Sequence, residues 1–362
     1  MDTINARDNS LSRRHAIASF AALGTCFLPR AAASPALTQA TDVRAIPDLS
    51  DDGSAGAVPG TPQMTQLLHG YTTRPPWKVA GVDYAVGVPA WKKLTDWRAL
   101  DLPNARIDGH SVEVGGDDAV LDGIDFSTDG GAQLYIRAKG SVAISNCRFG
   151  GDYLKTIATG IIDTSSPRMI VQNCSFDGAG AGIAACVLFV RVSVTATVNY
   201  CHVYNYPCRV IQLGSGGTLD YRFNLIGEGA MQAGAHLNYL EFGSGEARPI
   251  VAYNTTAQTA MARSGGEGFQ FYFNGGGTMH EPLCVRNTMI ARGGGGSAVM
   301  SYLVHGSGYH QGVTTAVLGR PVVQGNFMDT SSAYGPFYGG SFSGWEFHDN
   351  VDMVTRRVLH PA

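Results

Sequence analysis

One short phrase recurs in this chain at an unvarying spacing. It reads Val142-Ala143-Ile144-Ser145-Asn146-Cys147-Arg148-Phe149, then Met169-Ile170-Val171-Gln172-Asn173-Cys174-Ser175-Phe176, then Thr197-Val198-Asn199-Tyr200-Cys201-His202-Val203. Each copy has apolar residues at alternate positions, a small polar corner, a cysteine, and an apolar residue two further on. The cysteines give a period of 174 − 147 = 27 and again 201 − 174 = 27. Alternation within a copy is a strand signal, and a fixed period in the twenties signals a repeat architecture. With no helical period between copies, each repeat is expected to be one coil of a stack of parallel strands. Equivalent residues would then lie about 4.8 Å apart on successive coils.

The same frame extends in both directions. Ile124 precedes Cys147 in the column, and Asn224, Asn254, Thr288, Asn326 and Asn350 are placed after Cys201. Asparagine suits such a column, because its amide can bond both the corner backbone and its neighbour on the next coil. This pattern resembles the right-handed parallel β-helix superfamily, the pectate-lyase-like proteins, over roughly residues 107–353. The resemblance implies an all-β fold of about nine coils with an N-terminal extended or cap segment, and it implies polysaccharide chemistry. Four regions follow: a leader at 1–33, a linker and cap segment at 34–102, the β-helix at 103–353, and a tail at 354–362.

The leader contains Ser12-Arg13-Arg14-His15-Ala16-Ile17, which resembles a twin-arginine export signal. An apolar run from Ala16 to Leu28 and a small-residue cleavage site at Ala31-Ala32-Ala33 complete it. A periplasmic or secreted protein is expected. The run is too short for a membrane span and no later one is long and apolar enough, so none is expected.

Composition fits an exported β-protein. Charged residues make up 15% of the chain, against roughly 25% in ordinary soluble domains. The formal net charge is −3, which argues against a nucleic-acid partner because that binding needs a basic face. Six cysteines remain once Cys26 of the leader is set aside. Those of the column read as small buried hydrophobes, whereas Cys186 and Cys208, entering neighbouring strands, could form one bridge. No C-x-x-C or H-x-x-x-H spacing points to a zinc site. The sequence names no cofactor, and a monomer is expected. Residues 63–97 hold Trp77, Trp91 and Trp97 without a clear period. They read as an extended segment with a cap over the first coil, or else as an aromatic sugar-binding patch.

A second phrase precedes the column motif in the later coils: Val210-Ile211-Gln212-Leu213, Asn238-Tyr239-Leu240-Glu241-Phe242 and Phe269-Gln270-Phe271-Tyr272-Phe273. The longest turns lead into it, and long loops on a rigid scaffold commonly carry sites. Alternation turns Ile211, Leu213, Leu240 and Phe242 inward. Gln212, Tyr239, Glu241, Gln270 and Tyr272 would then face outward on one sheet, with Gln212, Glu241 and Tyr272 as stacked neighbours. Arg209, Glu228, His236, Glu267 and His305 flank them.

Amides, aromatic rings and carboxylates in a row make a sugar-binding wall. The catalytic candidates are Glu241, His236 and Tyr239. The substrate-binding candidates are Arg209, Gln212, Gln270, Tyr272, Glu228, Glu267 and His305. Two reactions suit the row. In a lyase, Tyr239 or His236 would remove the proton beside a uronate carboxylate, while Arg209 and Gln212 met its charge. In a glycoside hydrolase, Glu241 would work with Glu228 or Glu267 as a carboxyl pair. The G-H-G element of pectin hydrolases is absent, as are the W-x-D-H and R-x-P-x-x-R elements of calcium-dependent pectate lyases. The resemblance tips the expectation toward a lyase acting on an acidic polysaccharide. A non-catalytic module that binds exopolysaccharide is the third reading.

Overall fold

The computed structural model describes residues 64–151, 168–178, 194–206, 209–227, 238–258, 268–291, 315–330, 336–338 and 342–361. It gives the backbone alone for strands Lys155–Thr159, Cys186–Val190 and Val304–His305. The leader, the linker before residue 64 and much of the long turns lie outside the described residues.

The chain winds as a coil with three walls. A typical circuit gives Gln133–Ile136 to sheet 1, Ser141–Ser145 to sheet 2 and Arg148–Gly150 to sheet 3. Among the described residues the sheets hold ten, eleven and ten strands, where the sequence suggested about nine coils. Among the described residues the strands pair in parallel, apart from the opening hairpin of Ala105–Asp108 with Ser111–Val114. The 27-residue period is a register: Arg168 pairs with Ser141 below and with Thr195 above. Small periodic corners and alternating apolar residues thus build a stack in which each coil covers the last.

The corner between sheets 2 and 3 carries the column. Register places Cys147, Cys174 and Cys201 one above another, with Ile124 below and Asn224 and Asn254 above. All six are buried. Burial also pushes the Cys147 and Cys174 thiols above their ordinary pKa, as expected of packing residues rather than nucleophiles. One placement needs correction. Cys284, not Val285, stands on Val251, so the next column residue is Asn287, and Thr288 lies one step beyond it on the sheet, between Thr255 and Phe327.

The asparagines form an unbroken ladder. Asn224 donates its backbone N–H and its Nδ2–H to Oδ1 of Asn254, at 3.1 and 2.9 Å. Asn254 does the same to Asn287, Asn287 to Asn326, and Asn326 to Asn350. Each Nδ2 also reaches a corner carbonyl of the coil before, such as Val198 for Asn224. A fully satisfied buried network of this kind fixes one register, since any slip would leave amides without partners.

The residue before each column member takes the left-handed conformation, with φ near +50 to +70° from Gly123 through Asn146, Asn173, Tyr200, Phe223, Tyr253, Arg286, Gly325 and Asp349. Bulky residues pay about 1 kcal/mol or more for that conformation. Here stacking offsets it: the Tyr200, Phe223 and Tyr253 rings follow each other at 5.0 and 5.2 Å, with the Arg286 guanidinium over Tyr253. Inside the coil, Phe126, Phe149 and Phe176 stack face to face at 4.8 and 4.9 Å. Burying each contributes roughly 1.5–3 kcal/mol.

The segment before the first coil is a strap along the outside of sheet 3. Thr72 and Thr73 bond Met353 of the last coil, and Tyr71 donates to Asp329 at 2.7 Å. Trp77 packs edge-on against Tyr253 and Phe327. Further along, Gly87 bonds the Tyr200 carbonyl, Lys92 pairs with Asp122, and Thr95 starts the sheet beside Ile124. The strap therefore runs from the last coil back to the first. Only at its end does Trp97 tuck in, donating to the Thr128 carbonyl and sitting 5.7 Å from His110. Trp77 and Trp97 are buried while Trp91 is exposed, so the three do not form a shared aromatic patch.

Candidate functional site

Sheet 1 presents the row that alternation marked. Ile211, Leu213, Leu240 and Phe242 are buried in the core, and Gln212 pairs in register with Glu241 on the next coil. The Gly-Ser-Gly after each strand explains the match: Gly243 lies so close on Gly214 that an added Cβ would sit 2.4 Å from its carbonyl oxygen. A side chain there would force the two coils apart.

Glu241 is not in an open groove. It is 2% exposed, and four N–H donors enclose its carboxylate. Oε1 accepts from Gln212 Nε2 at 2.8 Å and Asn274 Nδ2 at 3.0 Å. Oε2 accepts from Arg209 Nε at 2.6 Å and Asn238 Nδ2 at 2.9 Å. Every strong acceptor position is in use, which is what makes burying a charge tolerable.

Alternation breaks at the start of this strand. Asn238 and Glu241 are three apart, yet the Asn238 amide reaches the Glu241 carboxylate. Tyr239 is turned the other way: it is buried, and its ring packs in the core 5.4 Å from Phe269. The expected outward position of Tyr239 is thus corrected. The strand above is irregular too. Leu240 pairs with Phe269 and Phe242 with Phe273, so three residues of the upper strand face the single residue Glu241. Tyr272 is therefore not the one-to-one neighbour of Glu241, and both Tyr272 and Gln270 are buried rather than open to solvent.

The remaining candidates divide. Arg209, in register with Asn238, keeps 19% of its side chain exposed. The backbone of His305 pairs with Gln270 and Tyr338, continuing the row. Glu228, His236 and Glu267 lie outside the described residues, as do Cys208 and the Cys186 side chain. The sequence reading missed Asn238 and Asn274. Their signal was available: two amides at the ends of aromatic strands, each one residue outside the alternating run.

Among the described residues no group of three or more His, Cys, Asp or Glu side chains is placed to hold a metal ion. No helix among them is long and apolar enough to cross a membrane.

With this geometry in view, comparison places the chain by class. A family model described as a right handed beta helix region matches residues 103–242, which span the first coils through the end of the Glu241 strand. Together with the coil of three parallel sheets, that match makes the chain a right-handed parallel β-helix protein. Proteins with this domain include many carbohydrate-active enzymes and also non-enzymes. No curated protein and no solved structure matches the chain.

Proposed function

We propose that this chain is an exported polysaccharide lyase that cleaves a uronate-containing polysaccharide by β-elimination on the outer face of sheet 1. The observation that carries the reading is the clamp on Arg209. Glu241 takes its Nε, which fixes the plane of the guanidinium, and Gln212 stands beside it on the same strand. In β-elimination a base removes the proton beside the sugar carboxylate, and the C–O bond to the departing sugar breaks to leave a double bond. The step is easier once that carboxylate has been neutralised, and a planar guanidinium suits the task.

The same clamp weighs against the hydrolase reading, which asks Glu241 to serve as acid, base or nucleophile while four donors hold it. Tyr239 packs against Phe269 and Gln270 and Tyr272 are buried, so His236 is the base in this reading, with His305 continuing the row on the next coil. Export would use Arg13 and Arg14, and the mature protein would act as a monomer in the periplasm or outside the cell.

The test is a panel of uronate and neutral polysaccharides, with double-bond absorbance and reducing ends read separately. Both should rise together on a uronate substrate. Reducing ends without double bonds would replace this reading with a hydrolase. Binding without either product would replace it with a non-catalytic module.

A further inference from the structure

The first coils of sheet 1 carry a second arginine–carboxylate clamp. Arg137 Nε meets Glu113 Oε1 at 2.9 Å, as Arg209 Nε meets Glu241 Oε2 at 2.6 Å. The carboxylate belongs to the lower coil in the first pair and to the upper coil in the second. Both carboxylates stand on one line. Glu113 is in register with Tyr135, and the line continues through the backbones of Ala158 and Phe189 to Gln212 and Glu241. Val112, Val114, Leu134 and Ile136 are buried in the core, so alternation turns Glu113 and Tyr135 outward. Five strand spacings separate the two carboxylates, about 24 Å along the stack.

The two clamps differ in access. The Glu241 and Arg209 side chains are 3% and 19% exposed, whereas Glu113 and Arg137 are 39% and 42% exposed. The open pair lies in a shallow depression lined by Arg106, Asp108, Ser111, Glu113, Tyr135 and Arg137. The opening hairpin builds its lower half, setting Arg106 opposite Glu113 and Asp108 opposite Ser111. The Tyr135 hydroxyl donates to Gln133 Oε1 at 2.8 Å, which ties the ring to its own strand.

We infer that this depression is a second sugar site, taking a uronate unit of the same polysaccharide chain that the Arg209 clamp holds. The identity of that chain rests on the lyase reading; the contacts rest on the depression itself. A uronate ring carries a carboxylate, several hydroxyls and an apolar C–H face. The Arg137 guanidinium suits the carboxylate. Glu113 and the Ser111 hydroxyl accept from sugar hydroxyls, and Tyr135 offers an apolar ring face. Two arginines and two carboxylates leave the depression with no net charge, so it selects a ligand that presents both donors and an acceptor rather than any anion. A chain held at one clamp reaches the other as an intramolecular contact, which raises affinity without touching the reacting bond.

The experiment measures retention of the full chain in gels loaded with polygalacturonate, alginate or neutral dextran, together with KM and kcat on any acidic polymer that is cleaved. Wild type should be retained by an acidic polymer and not by dextran. Arg137→Ala should weaken that retention about tenfold, the lower end of what one charge-assisted hydrogen bond supplies. Tyr135→Ala should weaken it in the same direction, and Arg137→Lys should recover part of the loss. In cleavage the defect should fall on KM rather than kcat, and it should shrink for oligouronates too short to span about 24 Å. Retention of neither acidic polymer, equal retention by dextran, wild-type retention of Arg137→Ala, or a defect independent of chain length overturns the inference. Retention needs no cleavage, so the two readings fail separately. An acidic polymer held by wild type and released by Arg137→Ala, with no double bonds formed, supports this site and removes the lyase. Double-bond formation with unchanged retention and KM in Arg137→Ala does the reverse.

Discussion

Arg209 and Glu241 sit on adjacent strands three positions out of register, and their side chains still meet at 2.6 Å. In-register neighbours would be Arg209 with Asn238 and Gln212 with Glu241. The diagonal contact exists because Glu241 is gripped from both sides, so its carboxylate is a hub for two coils and for the turn that carries Asn274.

That hub makes Glu241→Gln a structural lesion as well as a chemical one. The new amide would set an N–H against one of four donors and take from Arg209 the carboxylate that holds its Nε. Breaking a largely buried pair from one side typically costs about 3–5 kcal/mol. Denaturant unfolding should show a loss of that order. A change below about 1 kcal/mol would mean that the carboxylate is not the hub.

Arg209 carries both roles: Arg209→Lys keeps the charge beside Glu241, whereas Arg209→Ala breaks that pair from the other side and should also lower stability. Arg209→Lys keeps the charge but loses the planar fork, so it should bind a uronate chain with reduced turnover. Arg209→Ala should abolish double-bond formation on the same substrate. Wild-type rates of double-bond formation in both variants would remove Arg209 from the proposed reaction.

The asparagine ladder predicts opposite outcomes for two substitutions. Asn254→Ala strips the acceptor from two Asn224 donors, leaves Asn287 Oδ1 with only the residue 254 backbone N–H, and removes the amide donor to the Tyr221 carbonyl. At about 1–3 kcal/mol for each group left buried without a partner, the total loss should exceed about 3 kcal/mol. Cys201→Asn extends the ladder downward, since the Cys201 sulfur already lies 3.7 Å from the Val171 carbonyl that an amide would bond. It should stay within about 1 kcal/mol of wild type. Cys174→Arg, by contrast, buries an unpaired charge in the same column and should abolish folding. Thermal unfolding of the three variants checks the order.

The proposed export rests on Arg13 and Arg14 of the leader. Replacing Arg13 and Arg14 together by lysine should hold the protein in the cytoplasm, and exported wild-type protein should begin near Ala33. Unchanged export of the double variant would count against the twin-arginine reading.

The coil was legible because its signals are local and repeated. Three cysteines at a 27-residue spacing mark one corner, and the apolar alternation beside them marks which side faces in. A pattern that must satisfy the same neighbour on every coil is written over and over, so one chain carries many copies of the evidence. Where the repeat stretches, counting fails by a residue: the slip from Asn287 to Thr288 follows the break between strands Gly277–His280 and Leu283–Val285. The inward set at Ile211, Leu213, Leu240 and Phe242 was likewise readable from period two.

What lay beyond the sequence depends on contacts between distant segments. Alternation puts Glu241 on the outer side of its strand, but only the arrival of Asn274, Arg209 and Gln212 decides that this outer side is closed. The strap is the same lesson on a larger scale. Trp77, Tyr84 and Val88 have no period of their own, because each meets a different coil, from Phe327 down to Ser175. A repeat determines its own neighbours through spacing, whereas a segment crossing the repeat is placed by the one surface it covers. That surface exists only once the whole stack has formed.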